Sequence, residues 1–259
     1  MTETTIFKVN ILHSFIYPKM GEELSDCQDA QDVNCALNRF SVADGVSRSF
    51  YPAIFSKILT DYFCNGDTPT NKDLFKHKNW HEWLKISQNK WQELISQKVN
   101  NTSKYYIKNR YYNKEHAGAT FAGIEFFEKD QCIYWNAMII GDSCIIHFDK
   151  FHHKTNKYLI QNTSDFNFTP GYFPSLDVKE NPFQPEFLLD MTASIDDIFI
   201  IATDAISKWI LLLIEQSQTQ ILANIHNLSS EIVDKFRIDT LSPIENDDVS
   251  MLVLKIEQS

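Results

Sequence analysis

The chain has 259 residues, of which 43% are hydrophobic and 22% charged, so it can bury a substantial core in one large domain or two small ones. Its net charge of -10 argues against a general nucleic-acid or anionic-membrane surface and suits a protein that concentrates cations. No apolar run approaches the ~20 residues that span a bilayer, and the N-terminus lacks a signal-peptide pattern. The five scattered cysteines form no CxxC pair and are typical of reduced thiols. We therefore expect a cytoplasmic protein with no nucleic-acid or membrane partner.

The first hundred residues alternate between strand and helix patterns. Alternating apolar residues predict strands over 5–12 and 39–44. Apolar residues at helical spacing then predict helices over 52–63 and 80–99. The aromatic residues of both helices are expected in the core.

The second half begins with a group of strands and a long irregular segment. Strands are predicted over 119–128, 131–140, 143–149, 187–189, 198–203 and 249–256, and helices over 206–215 and 229–236. Lys129-Asp130 is a plausible hairpin turn between the first two strands. The segment 150–185 is poor in regular patterns, and such excursions often form binding rims. Because the strands come in adjacent groups, mainly antiparallel sheets with helices packed outside are favoured.

Several aspartates stand where short apolar strands end. Asp44, Asp142 and Asp204 each follow such a run, and Asp247 with Asp248 precedes the last one. A carboxylate held beside the core resists desolvation unless a positive charge is supplied. Hard divalent cations prefer oxygen ligands, so these aspartates predict a shared Mg²⁺ or Mn²⁺ site. A strand-end aspartate taken alone is more commonly a cap or turn residue.

Five short motifs occur in a fixed order between about Leu24 and Ile256. They are Cys27-Gln28-Asp29-Ala30, Val42-Ala43-Asp44-Gly45, the pair Gly118-Ala119-Thr120 and Gly141-Asp142-Ser143, Ala202-Thr203-Asp204-Ala205, and Asp247-Asp248-Val249-Ser250. In this order they resemble the metal-dependent protein phosphatases, the PPM or type 2C family, and the chain is similar to a divergent bacterial-type member. Each motif is weak alone, whereas the ordered set is a strong signal.

The resemblance implies a fold and an activity. The fold would be α+β, a four-layer α-β-β-α sandwich of two mainly antiparallel sheets flanked by helices, as one PPM-type domain over residues 1–259 with the excursion at about 150–185. The activity would be hydrolysis of phosphoserine and phosphothreonine in proteins by a water or hydroxide bridging two Mg²⁺ or Mn²⁺ ions, with a third ion also implied. The partners would be a phosphorylated protein and, in signalling, an opposing Ser/Thr kinase.

The resemblance also implies a role for each acidic position. Asp44 would bridge both metals, and the carbonyl of Gly45 would bind one of them. Asp204 and Asp247 would complete the other metal site. Asp29 would orient the attacking water, and Asp142 would share an additional, weaker site with Asp204. The expected catalytic residues are therefore Asp29, Asp44 and Asp204.

The departures from the family pattern concern the substrate phosphate. The family usually has an arginine where this chain has Leu24, and Arg48 is a candidate replacement because guanidinium binds phosphate bidentately. A solvated loop arginine is an equal alternative for Arg48. Two other functions therefore stay open: an inactive pseudophosphatase that serves as a binding module, and a hydrolase of small phosphorylated metabolites.

Three further candidates have simpler interpretations. Asp248 is expected to bind nearby backbone rather than metal. His152-His153 lacks a second ligand pair and is expected in a solvated loop. Cys27 has no visible activating group, so a buried thiol is expected rather than a nucleophile.

Overall fold

The computed structural model describes residues 6–66, 74–75, 79–151, 154–158, 160, 162–166, 170–177, 183–216, 221–238 and 243–259. Within these residues the chain forms two five-stranded sheets and one short two-stranded ladder. All the strand pairings are antiparallel, and helices cover the outer faces of both large sheets. The expected α+β sandwich is confirmed. His152-His153 lies outside the described residues.

The first sheet contains both ends of the chain. In spatial order its strands are β1 (Phe7–Tyr17), β12 (Val249–Gln258), β11 (Ile198–Ala202), β7 (Cys144–Phe148) and β8 (Lys154–Tyr158). The second sheet has the order β10 (Glu186–Ala193), β6 (Cys132–Ile140), β5 (Phe121–Lys129), β3 (Arg39–Ala43) and β2 (Ala30–Asn34). The short ladder joins β4 (Gly118–Ala119) to β9 (Phe173–Pro174).

The helices lie in two groups. The N-terminal group is α1 (Pro52–Asn65), α2 (Trp80–Asn100) and α3 (Tyr105–Tyr112), and the C-terminal group is α4 (Asp204–Glu215), α5 (Ile221–His226) and α6 (Ser230–Arg237). Proline opens α1, where its missing N–H costs no hydrogen bond. Ser229 caps α6 by accepting a hydrogen bond from the amide of Ile232. No described helix has the length and apolar character to cross a membrane.

Three apolar layers hold the sandwich together. Phe40, Trp135 and Phe199 pack between the sheets, α1 and α2 pack on the second sheet, and α4 packs on the first. Strand β11 is buried along its whole length because Phe199 faces the other sheet while Ile200 faces the helices. Each such side chain contributes roughly 1.5–3 kcal/mol of burial. The strand ends are therefore fixed points from which polar side chains project.

The structure differs from the sequence predictions in several places. The strand predicted over 119–128 is broken at Thr120, whose amide donates to the carbonyl of Asp44 at 2.9 Å instead of continuing the ladder. The hairpin turn is Asp130-Gln131, both with positive φ, rather than Lys129-Asp130. The segment 150–185 is not wholly irregular, because β8 and β9 lie within it. Strand β2 and helix α3 were not predicted.

Candidate metal centre

Four predicted ligands stand at the ends of elements that meet at one edge of the sandwich. Asp44 follows β3, Asp142 precedes β7, Asp204 opens α4 directly after β11, and Asp247 precedes β12. The carboxyl of Asp44 lies close enough to the other three to alter their ionisation or to have its own altered. Asp29, just before β2, joins the same group. The structure thus brings together the five aspartates to which sequence assigned metal or catalytic roles.

Asp29 is buried at the centre of a hydrogen-bonded link between strands. Its Oδ2 accepts from the hydroxyl of Thr203 at 2.7 Å, and that hydroxyl accepts from the amide of Ser250 at 2.9 Å. Only 1% of Asp29 is exposed, and its Oδ1 has no hydrogen-bond partner among the described residues. A buried carboxylate oxygen without a partner is costly, so this atom points to a missing polar group.

The Asp44-Gly45 turn is held tightly from both sides. The amide of Gly45 donates to the carbonyl of Gln28 at 3.2 Å, and Gly45 bridges Ala119 of β4. A Cβ atom on Gly45 would lie 2.8 Å from Cβ of Pro52 and 2.9 Å from the carbonyl oxygen of Gln28. Glycine is therefore required here by close approach rather than by its backbone angles.

The Gly141-Asp142-Ser143 turn is joined to the Gly118-Ala119-Thr120 motif. The hydroxyls of Thr120 and Ser143 are hydrogen-bonded at 2.8 Å in a buried position. Asp142 is 6% exposed, and its Oδ1 has no partner among the described residues. The Gly118-Ala119-Thr120 motif therefore supports the turn that carries Asp142.

Burial and mutual repulsion raise the pKa values of this carboxylate group. Burial raises the pKa of Asp44 to about 7; the neighbouring Asp29 opposes the rise, and the charges of Asp142 and Asp247 add to it. Burial also raises the pKa of Asp142 to about 6. Burial and then the Asp44 charge hold the pKa values of Asp29 and Asp204 well above their ordinary range. The group is therefore short of positive charge at neutral pH.

The aspartates influence one another electrostatically but form no closed cage among the described residues. In the described part of the chain, no three His, Cys, Asp or Glu side chains are clustered tightly enough to hold a metal ion as they stand. The donor set nevertheless fits a hard divalent cation, because it consists of oxygens and two of its buried oxygens have no partner.

Two neighbouring residues take other roles. Asp248 accepts from the backbone amides of Lys19 at 2.9 Å and Gln28 at 2.7 Å, which confirms that it binds backbone. Cys27 is buried, as expected, and burial raises the pKa of its thiol.

The positions expected to meet the substrate phosphate lie on the surface. Leu24 is 58% exposed and offers no charge. Arg48 is exposed with φ of 69°, its carbonyl accepts from the guanidinium of Arg110 at 3.0 Å, and its own side chain makes no ion pair among the described residues. Sequence reasoning missed Lys19. Burial lowers the pKa of Lys19, but the charges of Asp248, Glu22 and Asp247 outweigh burial and raise it.

Sequence reasoning also missed a buried pair distant from the carboxylates. Asp196 lies in a turn with φ of 71°, whereas the next residue, Asp197, is buried and contacts His147 at 2.8 Å. The imidazole stacks on Phe199 with ring centres 4.2 Å apart. The pair lies at the other ends of β7 and β11 from Asp142 and Asp204, so it stabilises the sandwich rather than the metal centre.

Comparisons with known proteins support the fold but not a close relative. No protein-family model and no curated protein sequence matches the chain. Among solved structures, the catalytic domain of the serine/threonine protein phosphatase PstP, in complex with two manganese ions, has 12% identity and a TM-score of 0.56, and the match covers 97% of this chain and 99% of that one. The PPM Ser-Thr phosphatase MsPP from Mycobacterium smegmatis, in complex with cacodylate, has 12% identity and a TM-score of 0.54, with 99% and 100% covered. A bacterial serine phosphatase has 13% identity and a TM-score of 0.55, with 98% and 99% covered.

At these identities the similarity shows the fold alone. The chain has the fold of the PPM-type serine/threonine phosphatases along nearly its whole length, which confirms the architecture that the five motifs implied.

Proposed function

We propose that the protein is a Mg²⁺- or Mn²⁺-dependent phosphatase that hydrolyses phosphoserine and phosphothreonine in proteins and opposes a Ser/Thr kinase. The observation that carries the proposal is the group of buried and half-buried aspartates at one edge of a PPM-type sandwich, in which two carboxylate oxygens have no hydrogen-bond partner among the described residues. Bound there, divalent cations supply charge neutralisation for the phosphoryl group and a more acidic water.

The residues of the chain divide the work of such a site. Asp44, Asp204 and Asp247, with the carbonyl of Gly45, would hold two cations, and Asp142 would hold a third with Asp204. Each of these residues sits on a rigid element end, which limits the reorganisation that catalysis requires.

Asp29 would position the attacking water. Its Oδ2 is already committed to Thr203, so the carboxylate cannot rotate freely, and Oδ1 is left to accept a hydrogen bond. Arg48 and Lys19 would meet the substrate phosphate, Arg48 with a bidentate fork and Lys19 as a point charge. Neither residue occupies the position of Leu24, where the family usually has an arginine, so this chain would bind the phosphate with residues from other positions.

The test is metal-dependent hydrolysis of a phosphopeptide and of p-nitrophenyl phosphate. We expect turnover with Mn²⁺, none after chelation, and a loss of at least about 100-fold in Asp44→Asn and Asp204→Asn. Asp130→Asn, in the exposed turn between β5 and β6, is the matched control that removes one carboxylate elsewhere. Activity that ignores the metal, or that survives both site substitutions, would contradict the mechanism.

A pseudophosphatase that binds phosphoproteins is the second candidate. The exposed Leu24 favours it, since a phosphate grip is a feature that turnover needs. It predicts that the chain binds a phosphopeptide but fails to hydrolyse it with Mn²⁺ in excess. Turnover under those conditions removes this candidate.

A further inference from the structure

Arg237, the last residue of α6, carries a guanidinium that is buried beside the turn before β12. The side chain is only 1% exposed, and its terminal carbon lies 5.3 Å from the ring centre of Tyr17. Nη1 donates to the carbonyl of Pro18 at 3.0 Å and to the carboxylate of Asp234 at 3.2 Å. Nη2 donates to the carbonyl of Asp247 at 2.5 Å. One side chain therefore joins the end of β1, helix α6 and a predicted metal ligand.

Asp247 is held by hydrogen bonds at its backbone and at its carboxylate. Its amide donates to the carbonyl of Glu245 at 2.9 Å, and its Oδ1 accepts from the amide of Asp248 at 2.9 Å. Its carbonyl accepts from Arg237, which belongs to another element. The guanidinium therefore restrains the peptide group between Asp247 and Asp248, and with it the direction in which the Asp247 carboxylate projects.

The turn that carries Asp247 is also joined to the other side of the metal centre. The carboxylate of Asp248 accepts from the amide of Gln28 at 2.7 Å, next to Asp29. The amide of Met20 donates to the side chain of Asn246 at 2.8 Å. A shift of this turn would therefore be transmitted to the residue that is expected to position water.

The positive charge of Arg237 and its hydrogen bond to Asp247 have opposite effects on cation binding. A guanidinium near a group of aspartates repels a divalent cation, so its charge alone weakens binding. Hydrogen bonds that orient a metal ligand strengthen binding, and their loss typically costs roughly 10- to 100-fold in metal affinity. Removal of Arg237 should therefore tighten Mn²⁺ binding if the charge dominates and weaken it if the orientation of the ligand dominates.

We propose that Arg237 is a positioning residue of the metal centre, which holds Asp247 in the orientation that binds the cation through the hydrogen bond to its carbonyl. The inference rests on the proposed function, because it takes Asp247 as a metal ligand. It gives α6 and the end of β1 a part in cation binding, although neither belongs to the five motifs.

The test is a calorimetric titration with Mn²⁺ of wild type, Arg237→Met and Arg237→Lys, at a temperature at which circular dichroism shows each protein folded. Arg237→Met keeps an apolar stem but donates no hydrogen bond, so its Kd for Mn²⁺ should rise about tenfold. Arg237→Lys keeps the charge without the guanidinium fork, so its Kd should lie between those of wild type and Arg237→Met. Lys235→Met is the matched control, since it removes an exposed cation from the same helix and should leave the Kd unchanged.

Each outcome decides the inference. A Kd in Arg237→Met equal to that of wild type would overturn it in favour of a purely structural role, and a lower Kd would overturn it in favour of charge alone. If Arg237→Met does not fold, Arg237→Lys decides: weaker Mn²⁺ binding supports positioning, and unchanged binding overturns it. A wild type that binds no Mn²⁺ overturns this inference together with the metal site, whereas Mn²⁺ binding without hydrolysis of p-nitrophenyl phosphate contradicts only the phosphatase activity.

Discussion

At the scale of single residues, the aspartates of the metal centre differ in what already holds them. Asp29 accepts a hydrogen bond from Thr203, and Asp248 accepts from two backbone amides. Asp142 has one buried carboxylate oxygen without a partner among the described residues. The chemistry of a carboxylate here therefore follows from its hydrogen bonds rather than from its residue type. The acids of the site are numerous, whereas the cations that would grip a phosphate are few.

Arg48 gives the first prediction. Arg48→Ala should raise KM for a phosphopeptide by about tenfold with little change in kcat, because a lost phosphate contact weakens binding before chemistry. Arg48→Lys keeps the positive charge but loses the bidentate hydrogen bonding of the guanidinium, so its KM should lie between those of wild type and Arg48→Ala. Steady-state kinetics on the three proteins measures both. An unchanged KM in Arg48→Ala would show that the Arg48 side chain is solvated and does not contact the phosphate, which leaves Lys19 as the phosphate contact.

At the scale of elements, the strands bring aspartates that are distant in sequence to one edge of the sandwich. The ends of β7, β11 and β12 are adjacent because these strands are antiparallel neighbours in the first sheet, and β3 of the second sheet packs against them across the core. The turn Asp44-Gly45 depends in addition on the start of α1 and on Gln28, whose carbonyl also accepts from the hydroxyl of Ser56 at 2.6 Å. A change in this contact should therefore disturb both helix docking and the metal centre.

Gly45 gives the second prediction. Gly45→Ala places a methyl group 2.8 Å from Cβ of Pro52 and 2.9 Å from the Gln28 carbonyl oxygen, so α1 or the turn must shift. We expect a loss of roughly 1–3 kcal/mol in the free energy of unfolding, measured by urea denaturation, and weaker Mn²⁺ binding. Gly21→Ala is the control, since a Cβ atom there meets nothing within 4 Å and only the positive φ of 88° is strained. Wild-type Mn²⁺ affinity in Gly45→Ala would contradict the role assigned to the turn.

The sequence predicts most of the elements but not how they are joined. Buried strands such as β3 and β11 and the apolar faces of α1 and α2 carry strong periodic patterns, so they were predicted closely. Strand β8 and helix α3 carry weak patterns and were missed, and the break at Thr120 depends on a hydrogen bond to Asp44, far away in sequence. The aspartates of the site were found because motif order preserves them.

The position of Lys19 could not be found in this way. It depends on contacts with Asp247 and Asp248, which are distant from Lys19 in sequence.

At the scale of the whole molecule, the aspartates of the metal centre make the stability of the fold depend on pH. Four aspartates, of which Asp29 and Asp142 are buried and Asp44 and Asp204 half-buried, have folded-state pKa values above the ordinary value of 3.8. The folded protein therefore binds more protons than the unfolded chain between about pH 4 and pH 7. The stability that these groups contribute is fully present below pH 4 and is lost as pH rises through the folded pKa values. His116 acts in the opposite direction, because burial lowers its pKa.

The third prediction follows from that balance. In chelator, Asp44→Asn should have a higher Tm than wild type at about pH 7.5, and the difference should shrink at about pH 5, where Asp44 is protonated. Comparing the two proteins cancels the contribution of His116. Mn²⁺ should raise the Tm of wild type at pH about 7.5 but not that of the variant. A variant less stable than wild type in chelator at that pH would contradict the pKa argument.

The most direct test of the central claim is a calorimetric titration with Mn²⁺ of wild type, Asp44→Asn and Asp29→Asn at neutral pH. The claim is that the strand-end aspartates form a divalent-cation site in which Asp44 is a ligand and Asp29 positions water. We predict saturable binding to wild type, loss of binding in Asp44→Asn and nearly unchanged binding in Asp29→Asn. Absence of binding to wild type at millimolar Mn²⁺, or equal binding in Asp44→Asn, would contradict the claim.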